Sequence, residues 1–206
     1  MLQIKPLEKI PSKEFTEALK IYTQAFPPNE IIPTEILAKE LQNKPERIWI
    51  AEFNNQIIGM ALIYPFKTSN LTLLGYLATD PNFRSQGIGT QLLKSLTTHY
   101  PHLLLEVEHP NYGTNQQQRQ RRINYYRRCG AKQLKNVQYI LPALSGETPT
   151  EMLFFILPPP PEKTLTGTLI KSLIKELYID LYNQPENHPL LTQLLNQNLP
   201  ETIELI

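Results

Sequence analysis

The stretch LATDPNFRSQGIGTQLL, residues 77–93, carries the pattern most able to do chemistry. An apolar run ends at Asp80-Pro81, and a helix-like run opens with Arg84, Ser85, Gln86, Gly87, Ile88 and Gly89. Glycines let a backbone approach a ligand with no Cβ in the way, and the N–H groups at a helix start, aided by the dipole, bind phosphate oxygens. Arg84 adds a charge-assisted contact and Thr90 a hydroxyl that caps the helix or touches phosphate. The pattern predicts a pyrophosphate site; the alternative is a strand-to-helix turn whose glycines serve geometry alone. A P-loop is excluded because no Gly-Lys-Ser/Thr follows, and the dinucleotide fingerprint fails because its third glycine falls on Leu92.

A second candidate is LLLEVE, residues 103–108, which reads as a short buried strand. Alternation places Glu106 and Glu108 on one face with Leu104. Burial raises a carboxylate's pKa and makes it a better base near neutrality, as deprotonating an alkylammonium requires. The alternative for each is an ion pair with the arginines just downstream. Five of these, Arg119, Arg121, Arg122, Arg127 and Arg128, lie within ten positions, either as a solvated helix face or as partners for a phosphate or acidic group. Cys129 has no histidine nearby in sequence and is given no catalytic role. The four histidines lack metal-ligand spacing, so no metal is expected; His109, at the end of the strand, is a spare base.

The elements that must hold these residues emerge from periodicity and punctuation. LQIKPL reads as a short strand; Ser12 or Thr16 caps a helix through FTEALKIYTQAF, which Pro27 and Pro28 stop; TEILAKELQ is a second helix. RIWIAEF and QIIGMALIYPF, joined by Asn54-Asn55, form a β-hairpin. LTLLGYLATD is a strand, and Gly87 to Tyr100 is a helix with Ile88, Leu92, Leu93 and Leu96 on one face. The Arg-rich helix ends at Gly130 as a C-cap, and KQLKNVQYIL and EMLFFIL are two more strands. This order indicates an α/β or α+β fold, a mixed sheet with helices on both faces. Pro158 to Pro161 read as a stiff polyproline II spacer. Beyond it, Leu165, Leu169, Leu173, Leu177 and Leu181 describe an amphipathic helix in need of a partner surface, and HPLLTQLLNQNL a shorter one. The organisation expected is a domain at 1–157, a Pro-rich linker at 158–163 and a C-terminal helical extension at 164–206.

Composition limits the functions. Among 206 residues, 20 Lys+Arg against 19 Asp+Glu leave a net charge of +1, with no global field for nucleic acid or an anionic membrane. The chain beyond residue 157 is acidic, three lysines against six Asp+Glu. No apolar run has the length of a signal peptide or a membrane span, and a single cysteine fits a reducing compartment, so a cytoplasmic protein is expected.

The six positions Arg84 to Gly89 match without a gap the Q/R-x-x-G-x-G/A motif, and Leu77-Ala78-Thr79-Asp80-Pro81 is similar to the strand end that precedes it. Residues 71–96 thus resemble motif A of the GNAT superfamily of N-acyltransferases, and the resemblance extends over about residues 1–157. It implies a mostly antiparallel central sheet and acetyl-CoA as co-substrate. Pantetheine would lie along Leu77, Ala78 and Thr79 like an added strand, with the pyrophosphate on the loop from Arg84 through Ser85, Gln86, Gly87, Ile88 and Gly89 to Thr90. The strands at 71–80 and 103–108 would splay to admit the thioester, and a backbone N–H near Leu77 or Thr79 would stabilise the oxyanion.

The segment EVEHPN resembles the E-V-R-x-x-N stretch of N-terminal protein acetyltransferases in that superfamily, which implies Glu106 as general base; Glu108 stands where that stretch has Arg, a departure that bears on a peptide-type substrate. RINYYRRCGA is similar to the family's A-x-x-L/F-Y-x-x-x-G-F ending, with Ala131 in place of the final Phe, and implies Tyr126 as the acid that protonates departing CoA. A phenol near pKa ~10 and a thiol near ~8.5 are close enough for that transfer; the alternative is a core aromatic beside Tyr125. The connection HPNYGTNQQQRQ is longer than usual and is expected to shape the acceptor pocket. The function expected is N-acetyl transfer by direct attack on an amine of a small molecule or peptide, in a monomer or homodimer, with no nucleic-acid or membrane partner. The rivals are a CoA-binding sensor without turnover and an Arg-helix module for RNA or an acidic protein.

Overall fold

A computed structural model describes residues 1–26, 31–111, 115–144 and 149–206. Pro27 and Pro28, expected to end the first helix, lie outside them, as does the centre of the HPNYGTNQQQRQ connection. The chain forms two compact units that interleave in sequence, one of residues 1–64 and 74–100, the other of residues 65–73 and 101–206.

In the first unit, β1 (Leu2–Pro6) pairs antiparallel with β2 (Ile48–Phe53), which pairs antiparallel with β3 (Gln56–Pro65). The hairpin closes on Asn54 and Asn55 at φ 50° and 60°, the left-handed pair of a type I′ turn that Asn tolerates well. Helix α1 (Lys13–Ala25) starts at Ser12, whose Oγ accepts the Phe15 N–H at 3.1 Å, and α2 is Thr34–Leu41. Both cover one sheet face: Phe15, Ala18, Ile21, Tyr22, Leu37 and Leu41 pack with Ile48, Ile50, Met60 and Leu62. Alternate residues turn to the opposite face, where α3 (Ile88–His99) lies and Trp49 meets His99 edge-on at 4.7 Å. Strand β3 therefore runs buried from Ile57 to Tyr64. Gly59 is where it meets α3: a Cβ there would stand 3.0 Å from Ile88 Cγ2 and 3.2 Å from Leu92 Cδ1. Strand β4 (Leu71–Thr79) leads to the loop before α3.

In the second unit, β8 (Thr150–Leu157) is central. Antiparallel to it runs β5 (His102–Glu108) on one side, and β6 (Lys132–Gln133) and β7 (Tyr139–Leu141) on the other. The single strand expected over KQLKNVQYIL is thus two short ones, broken where Asn136 takes φ 57°. Helix α4 (Gln116–Arg128) packs on β5 and ends as expected at Gly130, φ 94°. The Gly130 N–H donates to Arg127 O at 3.0 Å and the Ala131 N–H to Tyr126 O at 3.0 Å, a Schellman closure.

Residues 158–163 do not extend as a stiff spacer. Proline carbonyls still accept hydrogen bonds, and Pro160 O takes the Lys163 N–H at 2.9 Å to make a turn. β9 (Thr164–Thr166) follows, paired antiparallel with β10 (Thr202–Glu204), then α5 (Gly167–Glu176), a π-helical turn at Leu177–Leu181, and α6 (Pro189–Leu195). The expected amphipathic helix is present but shorter, and its buried stripe is Ile170, Leu173, Ile174, Leu177 and Tyr178. The class is the expected one, mixed α/β with a mostly antiparallel sheet and helices. Among the described residues no helix is long and apolar enough to cross a membrane, and no group of three or more His, Cys, Asp or Glu is gathered to hold a metal ion.

Candidate active site

In the first unit, β4 brings Leu77, Ala78 and Thr79 to its C-terminal end, with Ala78 buried and its neighbours half-buried. Asp80 closes a single 3-10 turn at Pro81–Phe83 by accepting the Asn82 N–H at 2.8 Å on Oδ1, and its own N–H donates to Ile58 O at 2.9 Å. That turn hands the chain to Arg84, Ser85, Gln86 and Gly87, all exposed. Ser85 and Gly87 take φ 63° and 79°, so the backbone bends sharply twice before α3 begins at Ile88. A Cβ on Gly87 would meet nothing within 4 Å, so this glycine answers to backbone geometry and leaves open space above it. Ile88 is buried and anchors the helix start, Gly89 is half-buried and Thr90 exposed. Gly87 supplies no side-chain cap, so the N–H groups of the first turn of α3 are available to an anion. Exposed glycine-bounded backbone, a bare helix start and the Arg84 side chain fit a pyrophosphate.

In the second unit, β5 carries the two carboxylates, and the structure separates their roles. Glu108 is buried and ion-paired with α4, Oε1 with Arg119 Nε at 3.2 Å and Oε2 with Arg122 Nη1 at 2.6 Å. Of the two readings open for each carboxylate, the arginine pair therefore holds for Glu108. Where the similar family stretch has an arginine on the strand, this chain has a glutamate answered by two arginines from the next helix.

Glu106 has no ion pair among the described residues. It lies opposite Phe154 of β8, and Phe154 stacks on Tyr139 at 4.2 Å. Its Oε2 accepts the Tyr182 hydroxyl at 2.6 Å, while Oε1 is buried with no hydrogen-bond partner among the described residues. Burial pushes its pKa up to about 6, with the hydroxyls of Tyr139 and Tyr182 acting the other way. Only Tyr182 makes a hydrogen bond of ordinary geometry; the Tyr139 hydroxyl faces the carboxylate electrostatically but is buried with no such bond among the described residues. Tyr139 and Tyr178 are both held above the ordinary phenol value, by burial first and the Glu106 charge second, so both stay protonated.

Tyr126 sits on α4, buried, with its ring 5.2 Å from that of Tyr125. Burial raises its pKa, the Arg122 charge acts against that, and the phenol stays protonated through the neutral range. Of the remaining arginines, Arg127 donates to Gln133 at 3.1 Å and lies over the Phe155 ring at 5.8 Å, while Arg121 and Arg128 are exposed. Cys129 is the half-buried C-cap of α4, and His109 Nδ1 accepts the Asn111 N–H at 3.3 Å.

Sequence reasoning missed the tyrosines around Glu106. No motif marks Tyr139 or Tyr178, and Tyr182 lies 76 positions from its partner. No local spacing reports such a pairing; the one signal was an apolar helix stripe in the extension that needed a surface to cover.

Residues 15–131, more than half of the chain, match the family model described as the acetyltransferase (GNAT) family. No curated protein matches in sequence. The fold is similar to that of a protein from Bacteroides thetaiotaomicron described as an acetyltransferase of the GNAT family, at 20% identity and a TM-score of 0.72, over 89% of this chain and 99% of that one. It is also similar to the ribosomal-protein-S18-alanine N-acetyltransferase of Escherichia coli, at 22% identity and a TM-score of 0.53, over 76% of this chain and 93% of that one. A third likeness is to a Salmonella typhimurium protein described as an acetyltransferase and solved with acetyl-CoA, at 13% identity and a TM-score of 0.53, over 76% of this chain and 93% of that one. At these identities the likeness is one of fold. The matched span contains the glycine loop at residues 84–90, Glu106 and Tyr126 together, and on that match this chain belongs to the GNAT family of acetyltransferases.

Proposed function

We propose that the protein is an N-acetyltransferase that moves the acetyl group of acetyl-CoA to an amine of a small molecule or peptide by direct attack. The observation that carries this reading is Glu106, a carboxylate with no ion pair among the described residues and a pKa near 6, on a strand of the family-matched span. Such a group is ionised at neutral pH yet close enough in pKa to accept a proton efficiently. Glu106 takes the proton of the acceptor's ammonium, directly or through a water, and the freed amine attacks the thioester carbonyl. Backbone N–H groups near Leu77 or Thr79 stabilise the oxyanion. Tyr126 gives its proton to the CoA sulfur as the C–S bond breaks. Burial weakens a phenol as an acid, but a thiolate formed in the same desolvated surroundings is a stronger base there, so the match survives. Leu77 to Thr79 hold pantetheine, and Arg84 to Thr90 hold the pyrophosphate.

In this reading residues 1–157 form the transferase domain, 158–163 a connection and 164–206 an extension. A single cysteine suits a reducing, cytoplasmic setting. A CoA-binding sensor without turnover draws support from one feature: Glu106 Oε1 is buried and Oε2 is engaged by Tyr182.

One experiment separates the two, combining melting temperature with and without acetyl-CoA and thiol release over a panel of amines. A rise with acetyl-CoA, and thiol release that drops ~10²- to 10⁴-fold in Glu106→Gln and ~10²-fold or more in Tyr126→Phe, is expected. Stabilisation without thiol release from any amine supports the sensor, and no stabilisation at saturating acetyl-CoA sinks both.

A further inference from the structure

Glu106 is the candidate base, yet the group that contacts it most closely comes from outside the family-matched residues 15–131. Tyr182 comes directly after the π-helical turn Leu177–Leu181, which is closed by the Tyr182 N–H donating to Leu177 O at 2.9 Å. A π turn widens the helix by one residue and re-aims the side chains beyond it, a device common where one of them must reach a particular partner. Three contacts fix this segment. The Tyr178 hydroxyl donates to Ile140 O of β7, the Gln184 N–H donates to Tyr178 O at 2.8 Å, and Gln184 Nε2 donates to Tyr182 O at 2.9 Å. On the other side of the turn Glu176 is buried and accepts the Lys67 N–H at 2.7 Å and the Thr68 hydroxyl at 2.8 Å. The segment is thus tied down on both flanks of Tyr182, and the 2.6 Å bond to Oε2 is held from a fixed frame.

We propose that Tyr182 is a positioning residue for the transfer: its hydroxyl, donated to Oε2, fixes the Glu106 carboxylate in one orientation and favours its ionised form, leaving Oε1 to take the acceptor's proton. This rests on the reading of Glu106 as the base. One proton leaves the ammonium and joins Oε1, giving a neutral carboxylic acid, while the Tyr182 proton stays on its own oxygen. A hydroxyl can stabilise the carboxylate in this way because an O–H donated to an anion is stronger than one donated to a neutral acid.

Among the described residues, the groups facing Glu106 are few. Tyr139 comes from β7, Tyr178 from the π-helical turn and Tyr182 from the segment after it, and none is cationic. Arg119 and Arg122 of α4 are engaged by Glu108, two residues along β5. Among the described residues, ionised Glu106 therefore depends on hydroxyl donors, and Tyr182 is the one with hydrogen-bonding geometry. The extension is accordingly part of the transfer apparatus and not only a cover for the sheet.

The test is Tyr182→Phe, which removes one oxygen and keeps the ring. Protein carrying 13C at the glutamate carboxyl is titrated without substrates, with Glu106→Gln assigning the resonance. The Glu106 midpoint is expected to move to higher pH in Tyr182→Phe, by roughly one pH unit. The acid limb of kcat/KM for thiol release should move by the same amount, with acetyl-CoA affinity unchanged. A Glu106 midpoint that stays where it is in a folded Tyr182→Phe overturns the proposal. A midpoint that moves while the rate profile does not upholds the control by Tyr182 and removes Glu106 as base. As a measurement independent of any variant's folding, unsubstituted protein labelled at tyrosine Cζ should show the Tyr182 resonance stepping at the Glu106 midpoint. A flat Tyr182 resonance across that range also overturns the proposal.

Discussion

Glu106 and Glu108 share a strand and a face, and what separates them is the partner each meets. Two guanidiniums hold Glu108, whereas Glu106 is answered by neutral hydroxyls, so desolvation dominates and its pKa rises from 4.5 to about 6. This has a consequence for stability with a definite sign. A carboxyl whose pKa is raised on folding binds its proton more tightly when folded, so its contribution is full below pH 4.5 and is lost as pH rises through 6. Chemical denaturation of the unsubstituted protein should lose about 2 kcal/mol across that window from this group, and Glu106→Gln should remove that part of the slope. For activity the sign is opposite, because the base must be ionised: kcat/KM should rise with pH and level off above about 6 in the unsubstituted protein.

Among the elements, the two glycines around α3 make separable demands. Gly87 has open space where a Cβ would go but φ 79°, so Gly87→Ala should cost about 1 kcal/mol in backbone strain while disturbing the loop proposed to hold pyrophosphate. Gly59 has no unusual backbone angle, yet Ile88, Leu92 and the Ala78 carbonyl crowd it at 3.0, 3.2 and 3.3 Å. Gly59→Ala should therefore cost about 1–3 kcal/mol through packing. Because Ile88 is the first residue of α3, acetyl-CoA affinity should fall with it. Melting temperatures and acetyl-CoA titrations of the two variants distinguish strain in the loop from displacement of the helix behind it.

At the scale of the whole molecule, residues 65–73 share a compact unit with the C-terminal extension, and Glu176 is a tie between them beside the Lys67–Asp180 ion pair at 2.7 Å. Its two oxygens satisfy a backbone N–H and a hydroxyl that are part-buried, so Glu176→Ala should cost about 1–3 kcal/mol by removing the acceptor both donors use. Gly167 closes the other end: a Cβ there would stand 2.5 Å from Pro200 O, a backbone atom with little room to yield, and Gly167 N donates to Glu201 O at 3.1 Å. Gly167→Ala should lower the melting temperature by more than Glu176→Ala does. If neither variant moves it, the extension is not integral to the fold of its unit.

The sequence alone determined whatever is written within a few residues of itself. The sharp turn into α3 was legible because Arg84 to Gly89 lie in a row and their glycines have a local purpose, and Asn54-Asn55 announced its hairpin in the same way. The alternation of β5 named both carboxylates, and leucine spacing announced α3 and α5. Tertiary structure decided which carboxylate is paired, because Arg119 and Arg122 reach Glu108 from another element and only packing brings them there. It also broke KQLKNVQYIL into two strands, turned the proline run back on itself, and brought Tyr182 onto Glu106. Those outcomes depend on contacts between residues far apart in the chain. Periodicity encodes the face a residue presents, not the partner that covers it.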